Sequence, residues 1–421
     1  MKNILGLAGV ALALPLYAQP LSFEWDWTLS ANSTTHQDSS LLGKAIENNS
    51  QALDALLDVE VSAFNWTGLI AAKGSQVWAS SEQAEYRGEL IAQELFWQGS
   101  ASFFDLPIDF TLGKMRLDWG VGYGYRPLDV FKPYRRNPVG IQVEEGTLIA
   151  MSSYFDDQGE WSLVYSDSSY TQQDGSQLEE ESEHQGIGLR RYALVGDSEW
   201  QALAYYDNVR HGLIGGSIVT LLDSAWAVHL SALYQRRYLS YQQAGIDAPV
   251  SLTKEDDGYQ VLAGLNWANA VGNNIILEYW YDSRSWSQSQ WDSAQKRAET
   301  LSKQPAFQGL ASSYAQGLNH ANLVQHNVMF HWQLDSSAWS HWGWSQQQLW
   351  MNKLTPTLDV LFAPQDGGVI ATQWLDYQAY DSGDTSINLE MALRFMTGSK
   401  DALYANLSDK RMIFLNLKGR F

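Results

Sequence analysis

The residues best suited to bind a ligand lie in one basic segment of the chain. Between positions 114 and 136 there are six cations and two acids, although the whole chain of 421 residues carries a formal net charge of −20. The cations are Lys114, Arg116, Arg126, Lys132, Arg135 and Arg136. Cations gathered in this way select anions by electrostatic attraction at close range. The segment therefore has the chemistry to attract carboxylate-bearing or other anionic solutes.

The same segment has the composition of a stiff loop. Glycines alternate with larger residues over positions 120–125 and let the backbone turn sharply, and the prolines that follow limit its conformational freedom. Stiff loops of this size are often functional. The tyrosines beside the cations are suited to contact a ring or an apolar part of a solute; they are Tyr123, Tyr125 and Tyr134.

The elements that must position this segment alternate as β-strands. In the last strand, Leu415, Leu417 and Phe421 share one face, whereas Lys418 and Arg420 share the other. The same alternation of apolar and polar residues recurs at 23–29, 226–234, 275–281 and 387–395. It favours an all-β transmembrane barrel whose apolar face meets lipid. The alternative is an exported β-sandwich or solenoid, which would bury its apolar face instead.

Both ends of the chain indicate export. Residues 1–18 combine a positive start, a short apolar run and a small residue, so we predict a signal peptide cleaved near Ala18. The closing strand, with its terminal Phe421, resembles the assembly signal of Gram-negative outer-membrane β-barrels. This resemblance implies that the barrel-assembly machinery recognises the last strand. It also implies that outer-membrane lipid and lipopolysaccharide surround the barrel.

Composition narrows the possible classes of protein further. Aromatic content is 13%, with 19 Trp and 21 Tyr, and no second long apolar run follows the signal peptide. These features suit a barrel with aromatic girdles at both membrane interfaces and exclude a helical membrane protein. Because Cys is absent, disulfides, thiolate-bound zinc and iron–sulfur clusters are excluded. The net charge of −20 argues against nucleic acid as a partner.

Turn-forming and polar segments divide residues 19–421 into about 18 strands of an antiparallel up-and-down barrel, with 16 as the alternative. Long and short connections largely alternate, as in barrels with long external loops and short periplasmic turns. The third external loop covers 117–142. Other features expected from the pattern are inner turns near Asn65, Gly99 and 335–337, an external loop near 352–367 and a helix over 291–301. Such a barrel is wide enough for an aqueous lumen, so function depends on what projects into it.

The basic segment also carries an element known from other barrels. Gly113-Lys114, Trp119-Gly120 and Pro127-Leu128-Asp129-Val130 resemble an element of outer-membrane channels that include porin-like and alginate-export-like barrels. The resemblance implies solute passage across the outer membrane, with the third external loop folded into the barrel at its constriction. We therefore expect a cationic constriction formed by Arg126, Lys132, Arg135 and Arg136, with Tyr123, Tyr125 and Tyr134 beside it.

A structural role for the same cations is the alternative to a constriction. They would then bind lipopolysaccharide phosphates or pair with acids on the barrel wall. Acids expected to face the lumen are Glu24, Asp26, Asp58, Glu60, Glu278 and Glu390. An acidic wall opposite a basic loop would also create a transverse field that orients dipolar solutes.

These observations predict an outer-membrane channel for passive passage of small hydrophilic or anionic and amphipathic solutes, without a cofactor. A partner-dependent export or assembly barrel is the alternative, and conductance of the purified protein alone would distinguish the two. A plugged, energy-coupled receptor is not expected, because alternation begins by about Leu21 and leaves no plug-sized domain before the strands. An outer-membrane hydrolase is the third class, although none of the eight His residues lies in a motif that identifies a nucleophile or an acid–base partner. The identity of the permeant, the ion selectivity and the oligomeric state stay open at this stage.

Overall fold

The computed structural model describes residues 21–79, 85–131, 141–173, 175–243, 245 and 248–421. Eighteen antiparallel strands form one sheet in this part of the chain, and β1 pairs with β18, so the sheet closes into a barrel. The prediction of an all-β barrel of about 18 strands is confirmed. The predicted signal peptide over residues 1–18 lies outside the described residues and stays a prediction.

The strands follow one another around the barrel in chain order. They are β1 (Ser22–His36), β2 (Asn49–Ala63), β3 (Trp66–Ala79), β4 (Glu85–Phe103), β5 (Leu106–Met115), β6 (Thr147–Asp156), β7 (Gly159–Asp167), β8 (Gln185–Val195), β9 (Ser198–Asp207), β10 (Leu213–Leu221), β11 (Trp226–Gln242), β12 (Ser251–Ala268), β13 (Asn273–Asp282), β14 (His326–Leu334), β15 (Leu354–Ala363), β16 (Gly368–Asp381), β17 (Ser386–Thr397) and β18 (Asp409–Arg420). Three α-helices lie in connections: α1 (Gln177–Glu181), α2 (Gln288–Ser302) and α3 (Gln308–Ser313).

The two faces of the sheet are inverted relative to a soluble protein. Leu230 on β11 is 46% exposed, whereas its neighbour Ser231 is 3% exposed. Likewise, Leu277 on β13 is 45% exposed and Glu278 is fully buried. Because successive side chains of a strand point to opposite faces, the apolar set covers the outside of the barrel and the polar set faces the lumen. No described helix is long and apolar enough to cross a membrane.

The connections at the two ends of the barrel differ in length. At the end where β1 begins and β18 ends, seven of the connections contain two to four residues each, and we call this the short-turn end. There the terminal strands are joined by the Trp25 N–H, which donates to the Phe421 carbonyl at 3.1 Å, and by stacking of the two rings at 4.7 Å. The opposite, long-loop end carries the connections 116–146 and 283–325.

Four of the described long-loop connections, β1–β2, β11–β12, β13–β14 and β17–β18, pack together into a cap. The core of this cap contains Trp286, Trp291 and Tyr314 from the β13–β14 connection and Tyr404 from the β17–β18 connection. The helix expected over 291–301 is present as α2, which begins with a capping box between Ser287 and Gln290. Helix α2 therefore belongs to a hydrophobic core that covers the long-loop end of the barrel.

Two expected turns were wrong. The turn predicted near Gly99 does not exist, because β4 continues to Phe103 and the chain turns at 104–105. A Cβ on Gly99 would collide with the Trp97 ring, so this glycine accommodates a neighbouring side chain within the strand.

The region after β14 also differs from the expectation. Instead of a short turn at 335–337 and a long external loop near 352–367, the structure has a long connection over 335–353 at the short-turn end. Residues 354–363 form β15, and a tight turn at 364–367 follows it. The connection over 335–353 contains two short 3₁₀ helices, Ser336–His341 and Met351–Lys353.

Candidate pore constriction

The segment after β5 leaves the barrel wall and folds back on itself. The Asp129 carboxylate accepts hydrogen bonds from the backbone N–H groups of Trp119 at 3.0 Å and Gly120 at 2.7 Å. The Arg126 guanidinium donates to the Gly122 carbonyl at 2.9 Å and pairs with Asp118. These bonds join both ends of a tight loop, which explains why the segment holds its shape without a strand or helix. We call residues 116–131 the inner segment.

A buried carboxylate of the barrel wall holds the tip of the inner segment. Glu278 on β13 is fully buried and accepts hydrogen bonds from the Tyr123 N–H at 2.6 Å and the Gly124 N–H at 2.7 Å. It also lies 2.8 Å from Nε2 of His229 on β11. A Cβ on Gly124 would lie 2.5 Å from the Met329 sulfur and 3.3 Å from this carboxylate, so a larger residue here would force the Met329 side chain to move. Because Glu278 belongs to the lumen-facing set, the tip of the segment lies against the inner wall.

Tyr125 is a second point of attachment. Its hydroxyl donates to Gln260 at 2.8 Å and lies 2.9 Å from Asp282, and its ring stacks on Trp280 with centroids 5.6 Å apart. Burial, together with the nearby Asp282 charge, raises the pKa of the Tyr125 phenol well above its ordinary value. The phenol is therefore a neutral donor engaged with the wall.

The other side of the inner segment packs on an apolar part of the lumen wall. Leu128 is fully buried, and Trp119 and Phe131 meet edge to face at 4.7 Å. Their cluster includes inward-facing residues of β6, β7, β9, β10 and β11, namely Ile149, Val164, Leu203, Leu213 and Leu233. Two polar side chains bind its backbone, each at 2.7 Å: Gln201 on β9 donates to the Trp119 carbonyl, and Arg210 in the β9–β10 connection donates to the Val130 carbonyl. The inner segment is thus fixed by both polar and apolar contacts.

Each described cation of the basic segment is paired with an acid. Lys114 pairs with Glu145, Arg116 with Glu94 at 3.0 Å, and Arg126 with Asp118. Pairing with Glu94 on β4 is the wall contact expected under the structural alternative. The remaining members of the predicted site, Lys132, Tyr134, Arg135 and Arg136, lie outside the described residues. Their role in a constriction stays a prediction.

Two arginines that sequence reasoning missed share a cavity with Arg126. Arg210 and Arg284 line this cavity of about 120 Å³ at the long-loop end, together with Tyr125 and His184. Arg284 donates twice to Asp282, at 2.8 and 2.7 Å, and the carboxylate raises the pKa of its guanidinium. A local signal was available, because both arginines follow an inward aspartate at the end of a strand, in Asp207-x-x-Arg210 and Asp282-x-Arg284.

His184 lies beside one of these arginines in the cavity. Its Nε2 atom lies 2.9 Å from the Arg210 guanidinium. Burial and this cation lower the pKa of His184 to about 4, so the ring is neutral at physiological pH and accepts the Arg210 hydrogen bond. Three guanidiniums therefore face this space, together with the carboxyl groups of Asp129, Glu179 and Asp282.

The lumen wall below the inner segment is acidic. Three carboxylate pairs lie directly opposite each other on neighbouring strands, namely Glu24 with Glu60, Asp26 with Asp58, and Asp376 with Glu390. Such like-charge pairs cost stability in a sheet. Lys418 bonds to Glu390 at 2.9 Å and Arg420 bonds to Glu24 at 3.0 Å, which leaves more acids than cations in this group. Glu390 and Lys418 line a space of about 740 Å³ that also reaches Tyr123.

Comparison with known proteins identifies the fold. No protein-family profile matches the chain, and no curated protein matches it in sequence. Among solved structures, Acinetobacter baumannii OccAB1 aligns with a TM-score of 0.52 at 9% identity, over 95% of this chain and 96% of that chain. Pseudomonas aeruginosa OpdO aligns with a TM-score of 0.50 at 10% identity, over 95% and 97% of the two chains. The chain therefore shares its barrel fold with these two proteins.

Proposed function

We propose that the protein is an outer-membrane channel for passive passage of small hydrophilic or anionic and amphipathic solutes, narrowed by the inner segment. The anchoring of Tyr123 and Gly124 to Glu278 carries this proposal, because it supports a loop folded into a polar lumen. A water-filled barrel of this width with an ordered inward loop selects solutes by size and charge.

The environment follows from the two faces of the barrel. An outer surface of exposed Leu, Ile and aromatic residues needs hydrocarbon around it, and the fold is shared with outer-membrane porins of the Occ and Opd type. The protein then resides in the outer membrane of a Gram-negative bacterium, with the short-turn end in the periplasm. The barrel-assembly machinery would recognise β18 and its terminal Phe421, and lipopolysaccharide would surround the long-loop end.

The charges support a lumen with two zones. Arg126, Arg210 and Arg284 share the cavity at the long-loop end with the acids Asp129, Glu179 and Asp282, whereas unbalanced carboxylates line the wall nearer the periplasm. The guanidiniums supply hydrogen-bond donors to an anionic group that enters from outside, and charges of both signs orient an amphipathic solute. The preference for anionic solutes therefore depends on the cations of the predicted constriction and not on this cavity alone.

Planar-bilayer recording across a KCl gradient tests this function. The variant Arg126→Gln, Lys132→Gln, Arg135→Gln, Arg136→Gln should lower the anion-to-cation permeability ratio, because four cations leave the constriction. A matched control removes four cations from outer connections, by Lys44→Gln, Lys296→Gln, Arg297→Gln and Lys303→Gln, and should change the ratio much less. Equal reversal potentials for wild type and the first variant would contradict the basic constriction.

The same recordings separate the channel from the other classes. A folded wild-type protein that conducts no current alone would favour a partner-dependent export or assembly barrel. We propose a channel rather than a hydrolase, because the buried polar side chains of Glu278 and Tyr125 hold the inner segment in place. Among the described residues, no group of three or more His, Asp or Glu side chains is arranged to hold a metal ion.

A further inference from the structure

The connection between β14 and β15 is unlike its neighbours at the short-turn end. It contains 19 residues, from Asp335 to Lys353, where the other described connections at this end contain two to four. Between these two residues there is no Asp, Glu, Lys or Arg, yet there are four tryptophans. They are Trp339, Trp342, Trp344 and Trp350. We call residues 335–353 the Trp-rich connection.

The Trp-rich connection is folded, not extended. The Asp335 side chain caps a 3₁₀ helix by accepting from the Ser337 N–H at 2.8 Å, and the Trp339 indole donates to the Leu354 carbonyl at 2.7 Å. Ala338 and Met351 are buried beneath it. Trp342 contacts Trp339 and Trp344, with ring centroids 5.6 and 6.5 Å apart. Its shape is therefore held by its own contacts.

This folded unit nevertheless exposes large apolar side chains. Trp344 is 66% exposed, Leu349 is 78% exposed and Trp350 is 52% exposed. Clustered exposure of this kind marks an interaction surface. The absence of formal charge between its ends means that a low-dielectric surrounding would impose no cost of burying ions.

The exposed surface of the Trp-rich connection is continuous with a belt of outward-facing tryptophans on the barrel wall. Outward-facing tryptophans lie near the short-turn ends of many strands, including Trp66, Trp161, Trp200, Trp226, Trp267 and Trp332. Trp226 and Trp267 are in contact, with ring centroids 6.1 Å apart. Trp332 lies on β14, and the Trp-rich connection begins as that strand ends. Indole rings concentrate at membrane–water interfaces, where an apolar ring and a polar N–H are both accommodated.

We propose that the Trp-rich connection is an interfacial anchor that lies in the phospholipid headgroup layer on the short-turn side of the membrane. Its exposed surface contacts the boundary between lipid headgroups and acyl chains, because this surface is uncharged, aromatic and continuous with the lipid-facing belt. The anchor rests on the outer-membrane location given above, but it does not depend on conduction.

Site-specific labelling tests the anchor directly, because the chain has no Cys. Leu349→Cys carries an environment-sensitive fluorophore, and the full-length mature protein is reconstituted in phosphatidylcholine vesicles. A lipid spin-labelled near the top of its acyl chain should quench this label several-fold more than the same label at two controls, Asp384→Cys in another short turn and Ser302→Cys in the outer cap. Aqueous iodide should give the opposite order.

The outcomes distinguish the anchor from other arrangements. Strong iodide quenching at Leu349→Cys with no lipid quenching would overturn the anchor and leave a surface suited to a soluble partner. A second label, at Trp344→Cys, should give the same result if the Leu349→Cys substitution has not disturbed the local structure. A circular dichroism spectrum typical of a β-barrel confirms folding of each variant. Conductance recorded from the same vesicle preparations tests the channel separately, so that either proposal can fail while the other stands.

Discussion

Replacing Glu278 by Gln should release the tip of the inner segment from the barrel wall. The side chain keeps its size, but one acceptor oxygen becomes a donor NH₂ group. In the wild type, one carboxylate oxygen accepts from Tyr123 and contacts His229, and the other accepts from Gly124. An amide cannot accept at both positions, so at least one of these two half-buried N–H groups loses its partner and faces another donor.

The size of the effect follows from those bonds. A hydrogen bond to a charged group contributes about 1.5–3 kcal/mol, and a buried N–H without a partner costs about 1–3 kcal/mol. We take roughly 3 kcal/mol for the net loss, which corresponds to a decrease of about 100-fold in the equilibrium constant for attachment of the tip. The packing of Trp119, Leu128 and Phe131 on the opposite wall is retained, so the barrel itself should fold. The tip should therefore detach intermittently within an intact channel.

Single-channel recording measures this detachment. We expect Glu278→Gln to have a higher mean conductance and more open-channel noise than wild type, because the segment then moves within the lumen. Glu390→Gln is the matched control, since it removes an equal charge from the lumen wall at a residue that bonds to Lys418 and Asn416 rather than to the inner segment. If Glu278→Gln gave the conductance and noise of wild type, the assignment of Glu278 as the anchor would be refuted.

Two further predictions concern the same segment. Gly124→Ala should lower the midpoint of thermal unfolding by an amount equivalent to about 1 kcal/mol, because the Met329 side chain must move to make room for the new methyl group. Gly343→Ala, where space is open and the backbone is not helical, should leave the midpoint nearly unchanged. Equal midpoints for both variants would contradict the close approach. Burial and the neighbouring Asp118 raise the pKa of Asp129 to about 7, above its value in the unfolded chain, so its contribution to stability is complete at low pH and is lost as pH rises through 7. Wild type should consequently lose more thermal stability between pH 5 and pH 8 than Asp129→Asn does, and parallel pH profiles would show that Asp129 ionises normally.

Sequence alone determined the class of fold and the location of the inner segment. Alternation with a period of two is a property of neighbouring residues, and it identified the lumen-facing acids Glu278 and Glu390 together with the apolar faces of β11, β13 and β17. The glycines and prolines after β5 likewise indicated an irregular, stiff segment at its observed position. Such signals are local, so they can be interpreted without knowledge of the rest of the chain.

Only the tertiary structure decided what each of these residues contacts. The bond between Glu278 and Tyr123 joins residues 155 positions apart, and no periodicity encodes it. Gly99 was mistaken for a turn because its role, making room for Trp97, appears only when the strand is formed. The tryptophans of 335–353 follow neither a strand nor a helix period, and burial of Ala338 and Met351 and the bond from Trp339 to Leu354 hold this connection folded. Pairing across the lumen and packing at its rim depend on closing the barrel, and closure brings together residues from distant parts of the chain.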